Sequence, residues 1–161
     1  MRLVGYSDAS HGNEEKRTSQ DGYTFLWNGT PISWSSRRQK SVSISTHQAE
    51  VYGLSETIRE AIWLRRLPKD FVSQVGSLPI FADNQAAISS AQSSGTHSAS
   101  KHIDLHVKLN EEMVARKVVK LFYVASENND TDVFTKTLGK IKFTKSRDIM
   151  LMKVPDEKLM N

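Results

Sequence analysis

Apolar and polar positions change period along the chain, and the change predicts a sheet followed by alternating helices and strands. Leu3 to Asp8 is apolar and β-favouring, which predicts a strand. Ser10 to Asp21 is polar and charged, with Gly12-Asn13 as a turn signal, and predicts a loop. Gly22 to Trp27 predicts a second strand, and Asn28-Gly29-Thr30-Pro31 a tight hairpin turn. Ile32 to Ser36 and Ser41 to Ser45 predict one bent strand or two short ones. A helical period then begins, with Thr46 as its expected cap. Val51, Leu54, Ile58, Ala61 and Ile62 form one apolar stripe, and Pro68 should end that helix.

Leu78 to Ala82 predicts a short buried strand, and Asp83-Asn84 opens a second helix through Ala86, Ala87, Ile88 and Ala91. Gln92 to Ser100, rich in Ser and Gly, predicts a loop. Leu105, Leu109 and Met113 predict a third helix, and Val118 to Val124 another strand. Asn129 to Thr131 offer caps for a last helix beginning near Asp132. The order β-β-β-α-β-α-α-β-α predicts an α/β fold, a mixed sheet with helices packed on it. Such sheets bind ligands where strands end at their carboxyl edge. One domain over residues 1–153 is expected, with a disordered tail at 154–161. A strand beginning almost at Met1 is what a segment of a longer chain would show.

Composition narrows the chemistry. The chain has 161 residues, enough for one domain with a sizeable core. It has no cysteine, which excludes disulfides, thiolate zinc sites and a cysteine nucleophile. His97, His102 and His106 are not spaced as a closed zinc site, so no zinc is expected. The longest apolar runs are about five residues, far short of the ~20 a membrane span needs. A soluble, intracellular protein with no membrane partner is expected. The net charge of +4 permits a polyanionic partner without demanding one.

Four acids fall at predicted element ends. Asp8 closes the first strand on the face of Val4 and Tyr6; Glu50 lies in the first turns of the first helix; Asp83 follows the buried strand; Asp132 opens the last helix. Convergence at one sheet edge would set up strong repulsion, which hard divalent cations relieve. Two such ions about 4 Å apart clamp a phosphodiester, one lowering the pKa of an attacking water and the other stabilising the leaving oxygen. Taken singly, Asp83 and Asp132 are equally explained as helix caps and Glu50 as a first-turn acid. Asp8 is the hardest to explain that way.

Local sequences add weight to the spacing. Gly5-Tyr6-Ser7-Asp8-Ala9, Pro31-Ile32-Ser33-Trp34-Ser35-Ser36-Arg37-Arg38-Gln39-Lys40 and Ser45-Thr46-His47-Gln48-Ala49-Glu50 stand in order. Ala61-Ile62-Trp63-Leu64-Arg65-Arg66-Leu67, Asp83-Asn84-Gln85-Ala86-Ala87-Ile88, Ser100-Lys101-His102-Ile103-Asp104 and Asp132-Val133-Phe134-Thr135-Lys136 follow them. Together, over roughly residues 3–152, they resemble the ribonuclease H domain of copia-type LTR retrotransposon polyproteins. The resemblance implies a ribonuclease H-like five-stranded mixed sheet with flanking helices. It implies a metal-dependent endonuclease that hydrolyses the RNA strand of RNA–DNA hybrids during reverse transcription. Catalytic and metal-ligating roles then fall on Asp8, Glu50, Asp83 and Asp132, with two Mg²⁺ ions for which Mn²⁺ can substitute. Asp8 is expected to bridge both ions, Glu50 and Asp83 to hold the one near the attacking water, and Asp132 the other. The implied partners are an RNA–DNA hybrid and the reverse transcriptase domain of the same polyprotein, and the implied location is a cytoplasmic virus-like particle. The chain departs from the family at His47, Val51 and Thr131, where Thr, Tyr and Ala are usual, and at Lys108 and Glu111. Asn129, three residues earlier, favours Asp132 over Asp130 as the fourth acid.

A hybrid displays 2′-hydroxyls in a wide minor groove and phosphates along both strands. Ser10, His47, Asn84 and Gln85 are candidates for the hydroxyls. Arg37, Arg38, Lys40, Lys101 and His102 are candidates for phosphates. The plainer readings are a cap for Asn84 and a cation-blunted strand edge for the basic run. Trp27, Trp34 and Trp63 are expected in the core. The alternative reading of the whole is a catalytically silent nucleic-acid-binding or scaffold domain attached to a reverse transcriptase. A different nuclease or integrase on the same fold is a third reading. With the four acids set aside, 22 basic residues face the remaining 14 acidic ones, which predicts a basic surface around an acidic pit.

Overall fold

A computed structural model describes residues 3–12, 18–40, 42–67, 76–93 and 101–151, with backbone alone at 101 and 102. Three strands come first: β1 (Leu3–Ser10), β2 (Gln20–Trp27) and β3 (Thr30–Arg38). The helix α1 (Thr46–Leu64) follows, then β4 (Leu78–Ala82), α2 (Gln85–Gln92), α3 (Lys101–Ala115) and β5 (Val119–Tyr123). A 3₁₀ turn at Ser126–Asn128 leads to the short α4 (Asp132–Thr135) and to α5 (Lys140–Met150). The strands form one sheet in the order β3-β2-β1-β4-β5. β1, β2 and β3 pair antiparallel, while β4 and β5 join β1 in parallel, so the predicted mixed sheet is present.

The Asn28-Gly29 pair turns the β2–β3 hairpin with φ values of 50° and 84°. Two adjacent left-handed residues are what a two-residue turn matching the strand twist requires. On one sheet face, Leu3, Phe25, Leu78, Ile80 and Leu121 pack against Leu54, Ile58, Ala61 and Leu64 of α1. On the opposite face, Tyr6, Phe81 and Phe122 stack in a row with centroids 5.4 and 5.3 Å apart.

Several expectations need correction. Residues 42–45 form no strand. The chain leaves the sheet at Gln39, whose amide nitrogen donates to the Asp21 carboxylate and, at 2.8 Å, to the Ala49 carbonyl. Ser43 in turn donates to the Gln39 side-chain oxygen. The serines here satisfy a buried amide and do not extend a ladder. The cap of α1 is Ser45, which accepts from the Gln48 N–H at 3.1 Å, and not Thr46. α1 ends at Leu64, and Pro68 lies outside the described residues.

The last helix is split. Lys136 is extended, with φ −137° and ψ 155°, and Gly139 caps the start of α5. Trp34 is 60% exposed and Trp63 54%, so only Trp27 packs against the core. Trp34 lies on an edge strand, and Trp63 lies off the buried stripe of α1. Leu105 is also exposed, because α3 packs through Ile103, Val107, Asn110 and Met113 instead. The expected tail at 154–161 lies outside the described residues, as does the greater part of the Gln92 to Ser100 loop.

Candidate active site

β1 and β4 run parallel with Ser7 opposite Ala82, the last residue of β4, which brings Asp8 and Asp83 together where β4 ends. Asp132 reaches the same edge through a local device. The Asn129 side-chain oxygen accepts from the Thr131 N–H at 3.2 Å, and its amide donates to the Ser7 carbonyl at 3.0 Å. This ties the approach to α4 onto β1. α4 then crosses β2 at Gly22, the strand partner of Asp8. A Cβ at Gly22 would lie 2.7 Å from Thr135 Cγ2 and 2.9 Å from Phe134 Cβ, so only glycine permits that approach.

The result is a cluster in which one oxygen from each of Asp8, Asp83 and Asp132 lies within 4.8 Å of the others. Asp8 and Asp132 are buried, at 0% and 3% exposure. Glu50 is also buried and lies outside that triplet, but close enough for Asp8 and Asp83 to act on it. Burial, followed by those two aspartates, pushes its carboxyl up to about 9 despite a hydrogen bond from the Ala9 N–H. Burial likewise pushes Asp8 up to about 6, opposed by the Thr135 hydroxyl and Lys136 and reinforced by Asp83 and Asp132.

Burial alone would raise Asp132 as well. Hydrogen bonds from Lys142 and Lys136 outweigh it and hold that carboxyl below the usual range. Burial would lower Lys136, but Asp8 and Asp132 hold its ammonium well above its ordinary value. Asp132 and not Asp130 joins the cluster. Asp130 is raised by burial, against Lys145 and Lys142. The donor set is all carboxylate oxygen, converging from three elements, and fits a hard divalent ion and not a soft one.

The remaining candidates divide. Arg37, Arg38 and Lys40 line a cavity of about 290 Å³ with Arg59, Tyr52, His106, Glu56 and Asp21. Asn84 caps α2, its side-chain oxygen accepting from the Ala87 N–H at 2.9 Å. Gln85 follows it and is exposed. Ser10 lines a second cavity, about 460 Å³, with His11, Gln20, Phe134 and Lys136. His47 turns towards α2, with Nε2 3.5 Å from the Ser90 hydroxyl. The backbone of Lys101 and His102 opens α3, and their side chains lie outside the described residues.

Sequence reasoning missed Thr135, Lys136, Lys142 and Ser126 as neighbours of the acids. Lys136 carries a readable signal, four residues after Asp132 on a predicted helix. Lys142 and Ser126 do not, since only tertiary packing brings them there. Arg59 and His106 were missed at the basic cavity for the same reason. Among the described residues no helix is long and apolar enough to cross a membrane.

No protein-family profile matches the chain. A retrovirus-related Pol polyprotein from transposon TNT 1-94 of Nicotiana tabacum is 34% identical over 151 residues, 93% of this chain. The chain spans only 11% of that polyprotein's length. The N-terminal RNase H domain of a Mycobacterium tuberculosis protein, solved as a maltose-binding-protein fusion, has a similar fold. It aligns at a TM-score of 0.59 and 12% identity, over 91% of this chain and 96% of that one. LC11-RNase H1, solved in complex with an RNA/DNA hybrid, aligns at 0.58 and 14% identity, over 83% and 94%. Homology along nearly the whole chain and a shared five-stranded fold place this protein among the ribonuclease H-fold domains of copia-type retrotransposon Pol polyproteins.

Proposed function

We propose that this domain is a divalent-metal-dependent endonuclease that hydrolyses the RNA strand of RNA–DNA hybrids. One observation carries the reading: oxygens of Asp8, Asp83 and Asp132 stand within 4.8 Å of one another, with Glu50 buried beside them. These four would hold two Mg²⁺ ions, or Mn²⁺ in their place. When bound, such ions supply an activated water and charge stabilisation of the leaving oxygen. Asp8, close to Asp83 and Asp132 and acting on Glu50, is suited to be shared by both ions. Glu50 and Asp83 would hold the ion on the water side, and Asp132 the other. Glu50 loses its proton as positive charge arrives, so ion binding releases protons near neutral pH.

Arg37, Arg38 and Lys40 grip backbone phosphates, with Arg59 in the same cavity. Ser10, Asn84 and Gln85 flank the acids and suit 2′-hydroxyls, and Lys101 and His102 stand at the start of α3 for a further phosphate. The polyprotein relatives and the hybrid-bound structural neighbour support a hybrid substrate and a reverse transcriptase on the same polypeptide. The working location we assign is a cytoplasmic virus-like particle.

The test is a strand-labelled hybrid incubated with the protein and Mg²⁺. RNA-strand cleavage that EDTA stops and Asp8→Asn abolishes is the expected result. An uncut RNA strand, with wild type and Asp8→Asn alike, overturns it. The second reading, a silent binding or scaffold domain, is favoured by one observation: two lysines already neutralise part of the acidic cluster. Hybrid binding without cleavage, unaffected by EDTA, would establish that reading instead.

A further inference from the structure

The clustered aspartates do not face one another bare. The Lys136 ammonium lies 2.9 Å from Asp132 Oδ1 and 3.3 Å from Asp8 Oδ1, so one cation bridges carboxylates from two elements. Lys142, in the first turn of α5, donates to the other Asp132 oxygen and, at 2.5 Å, to the Ser126 carbonyl. The Ser126 hydroxyl in turn donates to Asp83 Oδ2 at 2.6 Å. The two lysines are therefore built into the site differently. Lys136 stands between oxygens of two carboxylates that a shared divalent ion would also bridge. Lys142 sits at the rim, on one carboxylate oxygen and a backbone carbonyl, and its chain of bonds runs through Ser126 to the third aspartate.

We propose that Lys136 is a resident counter-cation that a divalent ion displaces from Asp8 and Asp132, whereas Lys142, linked through Ser126, stays and positions Asp132 and Asp83. The proposal rests on the reading of these acids as ion ligands. Its physical basis is the cost of buried carboxylates. Left uncompensated they destabilise the fold, and a bridging ammonium removes much of that cost in the metal-free protein. A divalent ion needs oxygens at about 2.0–2.2 Å, so an ammonium and an ion cannot share the gap between Asp8 and Asp132. The Lys136 side chain is 37% exposed and has a path to solvent. Lys142 holds Asp132 Oδ2 and not the Oδ1 that Lys136 bridges to Asp8, and its removal frees both Asp132 and Ser126.

Opposite effects on ion affinity distinguish the two roles. Mn²⁺ titration calorimetry on the whole chain should show Lys136→Met binding about tenfold more tightly than wild type and Lys142→Met about tenfold more weakly. In EDTA, Lys136→Met should melt several degrees below wild type, and saturating Mn²⁺ should close the gap. A Lys136→Met protein that binds Mn²⁺ no more tightly, or a Lys142→Met protein that binds it as well as wild type, overturns the proposal. Should either variant fail to fold, side-chain ammonium resonances of ¹⁵N-lysine-labelled wild type decide. Two exchange-protected lysines are expected in EDTA, with Mg²⁺ releasing one and sparing the other. Release of both, or of neither, overturns the assignment. If neither wild type nor variant binds Mn²⁺, the nuclease reading falls and this inference with it. Binding without the opposite ranking removes this inference alone.

Discussion

Two buried aspartates, Asp8 and Asp21, carry carboxyls pushed up to about 6 by burial, yet they do different work. Asp21 accepts from one neutral donor, the Gln39 amide, which also bonds the Ala49 carbonyl and so ties β2 to α1, while the nearby Glu56 raises it further. Asp8 sits among like charges, with Asp83 and Asp132 raising it and the Thr135 hydroxyl and Lys136 lowering it. A raised carboxyl therefore does not by itself mark a catalytic group. Its neighbours do: a hydrogen-bonded amide that reaches a second element marks a tether, and carboxylates converging within 4.8 Å mark a site awaiting a cation. The basic cavity around Asp21 and the acidic pit around Asp8 lie side by side, since Asp21 pairs with Ala9 in the β1–β2 ladder.

The largest expected effect separates the two residues outright. Asp8→Asn should lower RNA-strand cleavage by more than ~100-fold, since even outer-shell partners of bound metals cost 10–100-fold. Asp21→Asn should stay within about threefold in the same gel assay. An equal loss in both would break the comparison. Next, replacing Arg37, Arg38 and Lys40 together by Ala should weaken hybrid binding most at low salt. The plot of log affinity against log salt should flatten by about two to three, one increment per lost phosphate contact. An unchanged slope would leave the basic cavity without a phosphate role.

Gln39→Ala strands the buried Asp21 carboxyl and should cost about 1–3 kcal/mol in urea unfolding, with little change in Mg²⁺ affinity.

The last test reads melting temperature in place of cleavage and concerns the pH dependence of stability. A carboxyl raised on folding binds protons more readily in the native state, so stability falls as pH rises between its unfolded and folded values. For Asp8 and Asp21 that window runs from 3.8 to about 6, and for Glu50 from 4.5 to about 9. In EDTA, thermal melting should therefore fall across this whole range. Glu50→Gln should flatten the upper part and Asp21→Asn the lower. Mg²⁺ should abolish the Glu50 portion and leave the Asp21 portion intact.

Much of this was legible in the chain because it depends on local pattern. The Asn28-Gly29 turn, the α1 stripe and the buried Leu78 to Ala82 run are each decided within about 20 residues. Asp8 and Asp83 were legible for the same reason, as charges that interrupt or follow apolar strands. What was not legible depends on distant partners. Gln39 looks like any polar residue until Asp21 and Ala49 surround it. The sequence from Ser41 to Ser45 has strand-like alternation, which that buried amide overrides over residues 42–45. The break before Gly139 leaves Lys136 in extended backbone, where its ammonium reaches Asp8 as well as Asp132; the Asp8 contact is long-range, and helix propensity does not see it. Trp34 and Trp63 are large and apolar, and hydrophobicity alone assigns them to the core. Their positions on an edge strand and off the stripe of α1 leave them exposed instead.

The Asn129–Ser7 hydrogen bond joins residues 122 positions apart, and its consequence concerns the order of assembly. The β2–β3 hairpin forms from near neighbours on a timescale of microseconds, while closure of so long a loop comes late. Synthesised from its N-terminus, the chain pairs β1, β2 and β3 before α4 and α5 leave the ribosome. Asp132 thus arrives last at a sheet edge already holding Asp8 and Asp83, and Lys136 and Lys142 arrive on the same stretch of chain. The mutual repulsion of the carboxylates is met in the same folding step that delivers the charges to offset it.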